Sequence, residues 1–308
     1  MKARFLLAVS ALLCCCLPFV PARAAKTVRI GTYNLRIAVL DAKSPVNNWD
    51  ARCGRLIQSL RDGGFDLCGL QEVDGPEQES IPRMMAQAGE NYGFYFFNPY
   101  AEDGVGSKDW SKAHGLMWRK DRFEVGEFHN FWVSDPPEKM QINDVGGNGK
   151  GKHKRGGFCV IVKDLWNHGA RYFIMVSHAA LNREQRARFA HVYIDMERKW
   201  NPEGLPSFFV GDLNANEEDA SSQAYRTWWT DSYRYFDSKP SRRSGSVSTF
   251  NGWDLQRDLT DIKRRIDFIY FRGRGIKPLR YVSDDTRYNG LYASDHFPVH
   301  VDFKIRKR

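Results

Sequence analysis

The chain has 308 residues, 42% of them hydrophobic, and carries 46 Lys and Arg against 37 Asp and Glu, a net charge of +9 at pH 7. It shows no low-complexity linker and no internal repeat, which leaves one large domain as the expected count. Its six cysteines have no zinc-type spacing, so cysteine chemistry is not the expected centre of function, and the mild charge excess says only that an anionic partner is not repelled.

Met1 to Arg4 is basic, Phe5 to Val20 is almost wholly apolar, and Ala22-Arg23-Ala24 offers small residues at the positions a signal peptidase reads. The segment reads as a secretory signal cleaved before Ala25, too short and wrongly flanked for a membrane span. Bulky leucines ahead of Cys14-Cys15-Cys16 argue against a lipid-anchored start. Cleavage removes Lys2, Arg4 and Arg23, lowers the charge from +9 to +6, and leaves Cys53, Cys68 and Cys159, enough for one bridge at most. The expected product is a soluble periplasmic or extracellular domain of residues 25–308.

Lys26 to Asn34 alternates Val28, Ile30 and Thr32 with polar neighbours and reads as a strand ending in Thr32-Tyr-Asn34. Trp49 to Leu60 places Cys53, Leu56, Ile57 and Leu60 at helical spacing and stops at Gly63-Gly64. Phe65 to Leu70 is a second strand, ending in Gln71-Glu72-Val73. A carboxylate at the end of an apolar strand is a ligand candidate because a buried anion needs a partner, and an exposed loop acid is the equal alternative. Asn98 to Ala113 reads as a polar loop, followed by strand-like runs at His114 to Trp118 and Phe123 to Val133. Ser134 to Gly157 is long and polar and gathers Lys150, Lys152, His153, Lys154 and Arg155, either an arm gripping an anionic substrate or a solvated charge run.

Arg171 to His178 forms another strand that ends on a histidine. Asn182 caps a helix through Trp200, with Gln185 placed for a capping box and Phe189, Val192 or Tyr193, Met196 and Trp200 as the core stripe. His191 is read as structural or exposed. In Ser207 to Asn216, Phe208-Phe209-Val210 is a buried strand, Gly211 turns the backbone, and Asp212 and Asn214, two residues apart, leave on one side and can converge on one bound group. A plain turn accounts for the same residue types. Ser221 to Trp229 looks helical and Asp231 to Arg257 loop-like. Arg265 to Phe271 is a strand with Asp267 embedded among apolar residues, costly unless paired. Ser294-Asp295-His296 precedes a last strand through Phe303.

In order and spacing, Thr32-Tyr-Asn-Leu-Arg36, Gln71-Glu-Val73, Ser177-His178, Gly211-Asp-Leu-Asn214, Arg265-Ile-Asp267 and Ser294-Asp-His296 resemble the successive motifs of the endonuclease/exonuclease/phosphatase superfamily, the deoxyribonuclease I-like fold. The resemblance covers essentially the whole mature chain. It implies an α/β four-layer sandwich, two mixed β-sheets packed face to face with helices outside. It implies metal-assisted hydrolysis of a phosphate ester, foremost a diester, on nucleic acid or a small phosphodiester. Glu72 is then the main ligand of a divalent ion, Mg2+ or Mn2+, with Asn34 and Asp295 nearby. Asp212 and Asn214 orient the attacking water and the phosphate, Asp267 fixes His296, and His178 donates to a phosphate oxygen or protonates the leaving group. Whether Asp212 or His296 is the base stays open. Ser177-His178-Ala179-Ala180 departs from the family's Thr-His-Leu-Asp, which puts in question a supporting acid beside His178. His114, on its strand, is open between a structural histidine and a substrate contact. The alternatives are a phosphomonoesterase on sugar or inositol phosphates, and a secreted module that binds an anionic ligand without turnover.

Overall fold

The computed structural model describes residues 27–101, 112–141, 144–145 and 152–306. The expected signal segment and Lys150 lie outside the described residues. In chain order the elements are β1 (Thr27–Asn34), α1 (Trp49–Gly63), β2 (Leu67–Val73), α2 (Gly75–Gln87), β3 (Tyr92–Phe97), β4 (Ala113–Arg119), β5 (Phe123–Val125), β6 (His129–Trp132), β7 (Asp144–Val145) and β8 (Lys152–His153). They continue with β9 (Gly156–Asp164), β10 (Ala170–His178), α3 (Arg183–Arg188), α4 (Ala190–Trp200), β11 (Ser207–Asp212), α5 (Ala220–Arg226), β12 (Thr230–Asp231), β13 (Arg243–Gly245), β14 (Asp267–Arg272), β15 (Ile276–Ser283) and β16 (Val299–Ile305).

One mixed sheet runs β13-β15-β16-β1-β2-β4-β3 and the other β12-β14-β11-β10-β9-β5, with β6 also paired to β9. The inner faces form the central core. Val28, Ile30 and Leu67 from the first sheet meet Ile174, Val176, Phe208 and Val210 from the second. The alternate residues face outward and are covered in turn. Tyr33, Cys68 and Leu70 pack with Leu56, Ile57 and Leu60 of α1, and Phe173, Met175 and Phe209 pack with Val192, Tyr193 and Met196 of α4. Strands buried on both faces are apolar at successive positions, which is why Phe208-Phe209-Val210 reads as an unbroken run. The four-layer sandwich expected from the motifs is the architecture observed.

Several expectations change in detail. The helix expected from Asn182 through Trp200 is two helices meeting at Phe189, whose buried ring joins the α4 core stripe. Asn182 caps the first, accepting from the Gln185 backbone at 3.1 Å. Gly211 does not turn. It lies within β11 opposite Ser177 and Phe268, and a Cβ there would sit 2.1 Å from the Ser177 carbonyl oxygen. The turn comes later, at Asn214, with φ +50°. Helix α2, unread in the sequence because Pro82 interrupts it, begins with a capping box between Asp74 and Glu77 and a proline in its first turn.

Arg122 ties the two sheets together away from the loops. It is buried, donates to Asp164 of β9 at 3.0 and 2.8 Å, lies 2.9 Å from Asp66 and donates to the Thr27 carbonyl of β1 at 2.9 Å. Tyr172 Oη also donates to Asp164, at 3.0 Å. Removing the guanidinium leaves buried carboxylates without their cation, so Arg122→Ala is expected to cost about 3–5 kcal/mol. Urea unfolding measures it; a loss under 1 kcal/mol contradicts this role for the arginine.

Candidate active site

Strand direction gathers the polar strand ends. β1 and β2 pair in parallel, as do β10 and β11, so each pair delivers its final residues to one edge. Asn34 ends β1, His178 ends β10, Asp212 ends β11, and Glu72 is the penultimate residue of β2. β14 is antiparallel to β11 and places Asp267 opposite Asp212. The segment ahead of β16 is tied in by Ser294, whose Oγ donates to the Asn34 carbonyl at 2.7 Å.

Asp212 is the meeting point. Its Oδ2 accepts from Asn34 Nδ2 at 2.9 Å and lies 3.3 Å from His178 Nε2 and 3.7 Å from His296 Nε2. Its Oδ1 accepts from the Asn214 backbone N–H at 2.9 Å. The Asn214 side chain, beyond the strand, donates to the Ala179 carbonyl at 3.0 Å and so braces the segment after His178. His296 Nδ1 lies 2.9 Å from Asp267 Oδ2, and the ring packs edge-on against Phe250 at 4.9 Å. Asp295 Oδ2 lies 3.3 Å from Arg36 Nη1, and Glu72 Oε2 accepts from the Ile37 backbone at 3.2 Å. All eight residues singled out in the sequence therefore stand on one connected cluster of polar contacts or beside it.

The charges follow from these neighbours. Burial pushes the Asp212 carboxyl up, but His178 and His296, with hydrogen bonds from His178 and Asn34, hold it far below the usual carboxylate range. Burial alone would lower His296; Asp267 and Asp212 outweigh it and raise the ring to about 10. Asp267 is itself pushed up to about 6, mainly by burial and against the pull of His296. Burial, with Arg155 nearby, lowers His178 below its ordinary value, so its ring is neutral at pH 7. A neutral ring whose Nε2 faces an ionised Asp212 carries its proton on Nε2. Glu72 is lowered, since His178, Lys112 and Arg36 overcome its burial, whereas burial raises Asp295 despite His296 and Arg36.

Two contributors were not singled out in the sequence. Arg36, at φ +61°, links Asp41 at 2.8 Å to Asp295 and donates its backbone N–H to Asn34 Oδ1 at 2.9 Å. Its place two residues after Asn34 in the first motif was the available signal. Thr249 accepts from the backbone N–H groups of Ile266 and Asp267, both at 3.0 Å, while its own carbonyl accepts from Phe297 N at 2.8 Å. It thereby fixes the segments carrying Asp267 and His296, and nothing in a loop-like Ser-Thr-Phe-Asn run announces that. Among the described residues, no carboxylate partners His178 Nδ1, in keeping with Ala179-Ala180 beside it. Among the described residues, Asp212, Asp267 and His296 form a trio with potential ligand atoms within 4.8 Å of one another.

The chain is similar along nearly its whole length to proteins of known kind. Mouse (Mus musculus) deoxyribonuclease-1-like 2 is 23% identical over 312 residues, covering 93% of this chain and 98% of that protein. An endonuclease/exonuclease/phosphatase structure from Bacteroides vulgatus superposes with a TM-score of 0.74 at 23% identity, covering 91% of this chain and 99% of that one. A mannosyl-6-phosphatase from Bacteroides thetaiotaomicron gives a TM-score of 0.71 at 23% identity, covering 90% and 99%. The model of the endonuclease/exonuclease/phosphatase family matches residues 31–296, a span running from the middle of β1 to His296, and so the chain belongs to that family of phosphoester hydrolases.

Proposed function

We propose that the chain is a secreted, divalent-metal-dependent phosphodiesterase that cleaves its ester by in-line attack of water. The observation that carries this reading is the ionised Asp212 carboxylate set among an asparagine amide and two imidazoles. A carboxylate so placed accepts a hydrogen bond from a water and aims its lone pair at phosphorus. His296, kept protonated by Asp267, has no vacancy for a proton, so Asp212 takes the base role and His296 donates toward the oxygen on which charge develops. His178 Nε2–H is a second donor for that phosphate, and Asn214 braces the loop behind it.

Asn34, Glu72 and Asp295 fit a hard ion such as Mg2+ or Mn2+. They offer oxygen donors only, and Glu72 is held ionised. The Asp212, Asp267 and His296 trio fits less well, because both ring nitrogens already face carboxylates. What such an ion supplies when bound is Lewis-acid polarisation of a phosphoryl oxygen.

Similarity to a deoxyribonuclease-like protein supports the diester, and similarity to a mannosyl-6-phosphatase supports a second reading as a phosphomonoesterase. The protein starting at Ala25 is expected to release p-nitrophenol from bis-p-nitrophenyl phosphate in Mg2+ or Mn2+ and not in EDTA. Faster release from p-nitrophenyl phosphate selects the monoesterase, and no release from either ester in any metal removes the turnover reading. N-terminal sequencing of protein recovered outside the cytoplasm tests secretion, with Ala25 as the expected first residue. No described helix is long and apolar enough to cross a membrane.

A further inference from the structure

His114 is the second residue of β4 and is fully enclosed, at 0% exposure. Its ring stands edge-on to that of His178, with centroids 5.8 Å apart and planes at 68°. On another side it meets Phe97, its register partner on β3, at 5.9 Å. Phe97 is in turn backed by Trp132 at 5.6 Å. Among the described residues, neither ring nitrogen of His114 has a hydrogen-bond partner, and neither does His178 Nδ1 on the adjoining ring.

Buried polar atoms left unpaired are costly, and such groups in native proteins call for a partner. The two rings are chemically complementary. Burial, with His178 and Arg155, keeps His114 neutral, so it carries one N–H and one lone pair. The Ala113 carbonyl favours a proton on the His114 ring without reaching hydrogen-bond geometry. His178, with its proton on Nε2 toward Asp212, presents a bare lone pair at Nδ1. One ring has a donor to give and its neighbour an acceptor to fill.

We propose that His114 is a positioning residue: its ring N–H closes on His178 Nδ1 when a phosphate group enters, holding His178 with its proton on Nε2 and that proton aimed at a phosphate oxygen. The inference rests on the reading of His178 as a phosphate donor. Loose contacts of this kind in a substrate-free site tighten in the complex. A neutral imidazole serves where no described carboxylate reaches His178 Nδ1, since it supports the Nε2–H form without adding a second negative charge to a site that must accept an anion.

The test uses the whole mature protein with inorganic phosphate as the probe. In 15N-histidine-labelled protein, long-range 15N–1H spectra are expected to show His178 protonated on Nε2, with its Nδ1 shift moved by an accepted hydrogen bond. His114→Phe keeps the ring volume and removes the donor. It is expected to lower kcat about 10–100-fold, to leave KM within about twofold, and to give His178 a mixture of tautomers. His114→Asn, which retains an N–H donor, is expected to recover part of kcat. Wild-type turnover and an unchanged His178 tautomer in His114→Phe overturn the proposal, as does a His178 protonated on Nδ1 in the wild type. Should His114→Phe not fold, the wild-type spectrum and His114→Asn still decide. Should the wild type hydrolyse no ester, the functional reading falls while the spectra still judge the His114–His178 contact.

Discussion

Asp212→Asn is expected to lower phosphoester hydrolysis by about 10³-fold or more while the chain remains folded. The carboxylate is buried at the end of β11 and lies 3.3 Å from His178 Nε2 and 3.7 Å from His296 Nε2. An amide cannot take a proton from water, and wherever its NH2 points it meets a donor: Asn34 Nδ2 and the histidines on one side, the Asn214 N–H on the other. Stability separates this effect from unfolding. A carboxyl held far below its unfolded value stabilises the fold at every pH above about 4, and that contribution fades as pH falls below about 4 toward the folded value. The variant is therefore expected to be less stable than the wild type at pH 7, with the gap closing in acid, as urea titrations at pH 7 and pH 3 would show. Full activity in Asp212→Asn would remove Asp212 from the centre of the mechanism.

Asp267→Asn is expected to reduce kcat by about 10²–10⁴-fold. Asp267 Oδ2 faces His296 Nδ1 at 2.9 Å, so its work is to hold that ring in place and charged. The stability profile carries the signature. His296 is raised to about 10 from an unfolded value of 6.5, a stabilisation fully present below pH 6.5 and lost as pH climbs through 10. The wild type should thus lose on the order of a few kcal/mol between pH 6.5 and 10, and Asp267→Asn, whose His296 titrates nearer its ordinary value, should lose much less over that window. Parallel stability curves for the two proteins across it would show that Asp267 does not charge His296.

The sequence makes the site legible where an apolar strand stops abruptly on a polar residue. Glu72, His178 and Asp212 announce themselves that way, because a strand buried on both faces tolerates an acid or imidazole only where its end opens on a cluster. The layered architecture is legible through the same runs and through the order of the motifs. What resists reading depends on contacts between distant segments. Gly211 looks like a turn residue and is instead the point where β11 passes close against the Ser177 carbonyl. Thr249 matters because two backbone N–H groups from another segment converge on it. α2 hides behind Pro82, and β15 contains Pro278, where its pairing with β16 shifts register. That the His114 nitrogens find no hydrogen-bond partner among the described residues is a property of three dimensions, since the strand that carries it reads like any other.

The placement of β16 between β1 and β15 bears on when the protein can exist at all. β1, the first described strand, pairs across almost the whole chain with the last one, Thr27 against Lys304 and Thr32 against Val299. Half of β1's ladder stays open until β16 docks, and Asp295 and His296, just ahead of β16, come into place only with it. Contacts of such long sequence separation form late and slowly. The site is therefore expected to assemble only when β16 docks on β1, so that in refolding, activity should return together with the final packing of this sheet.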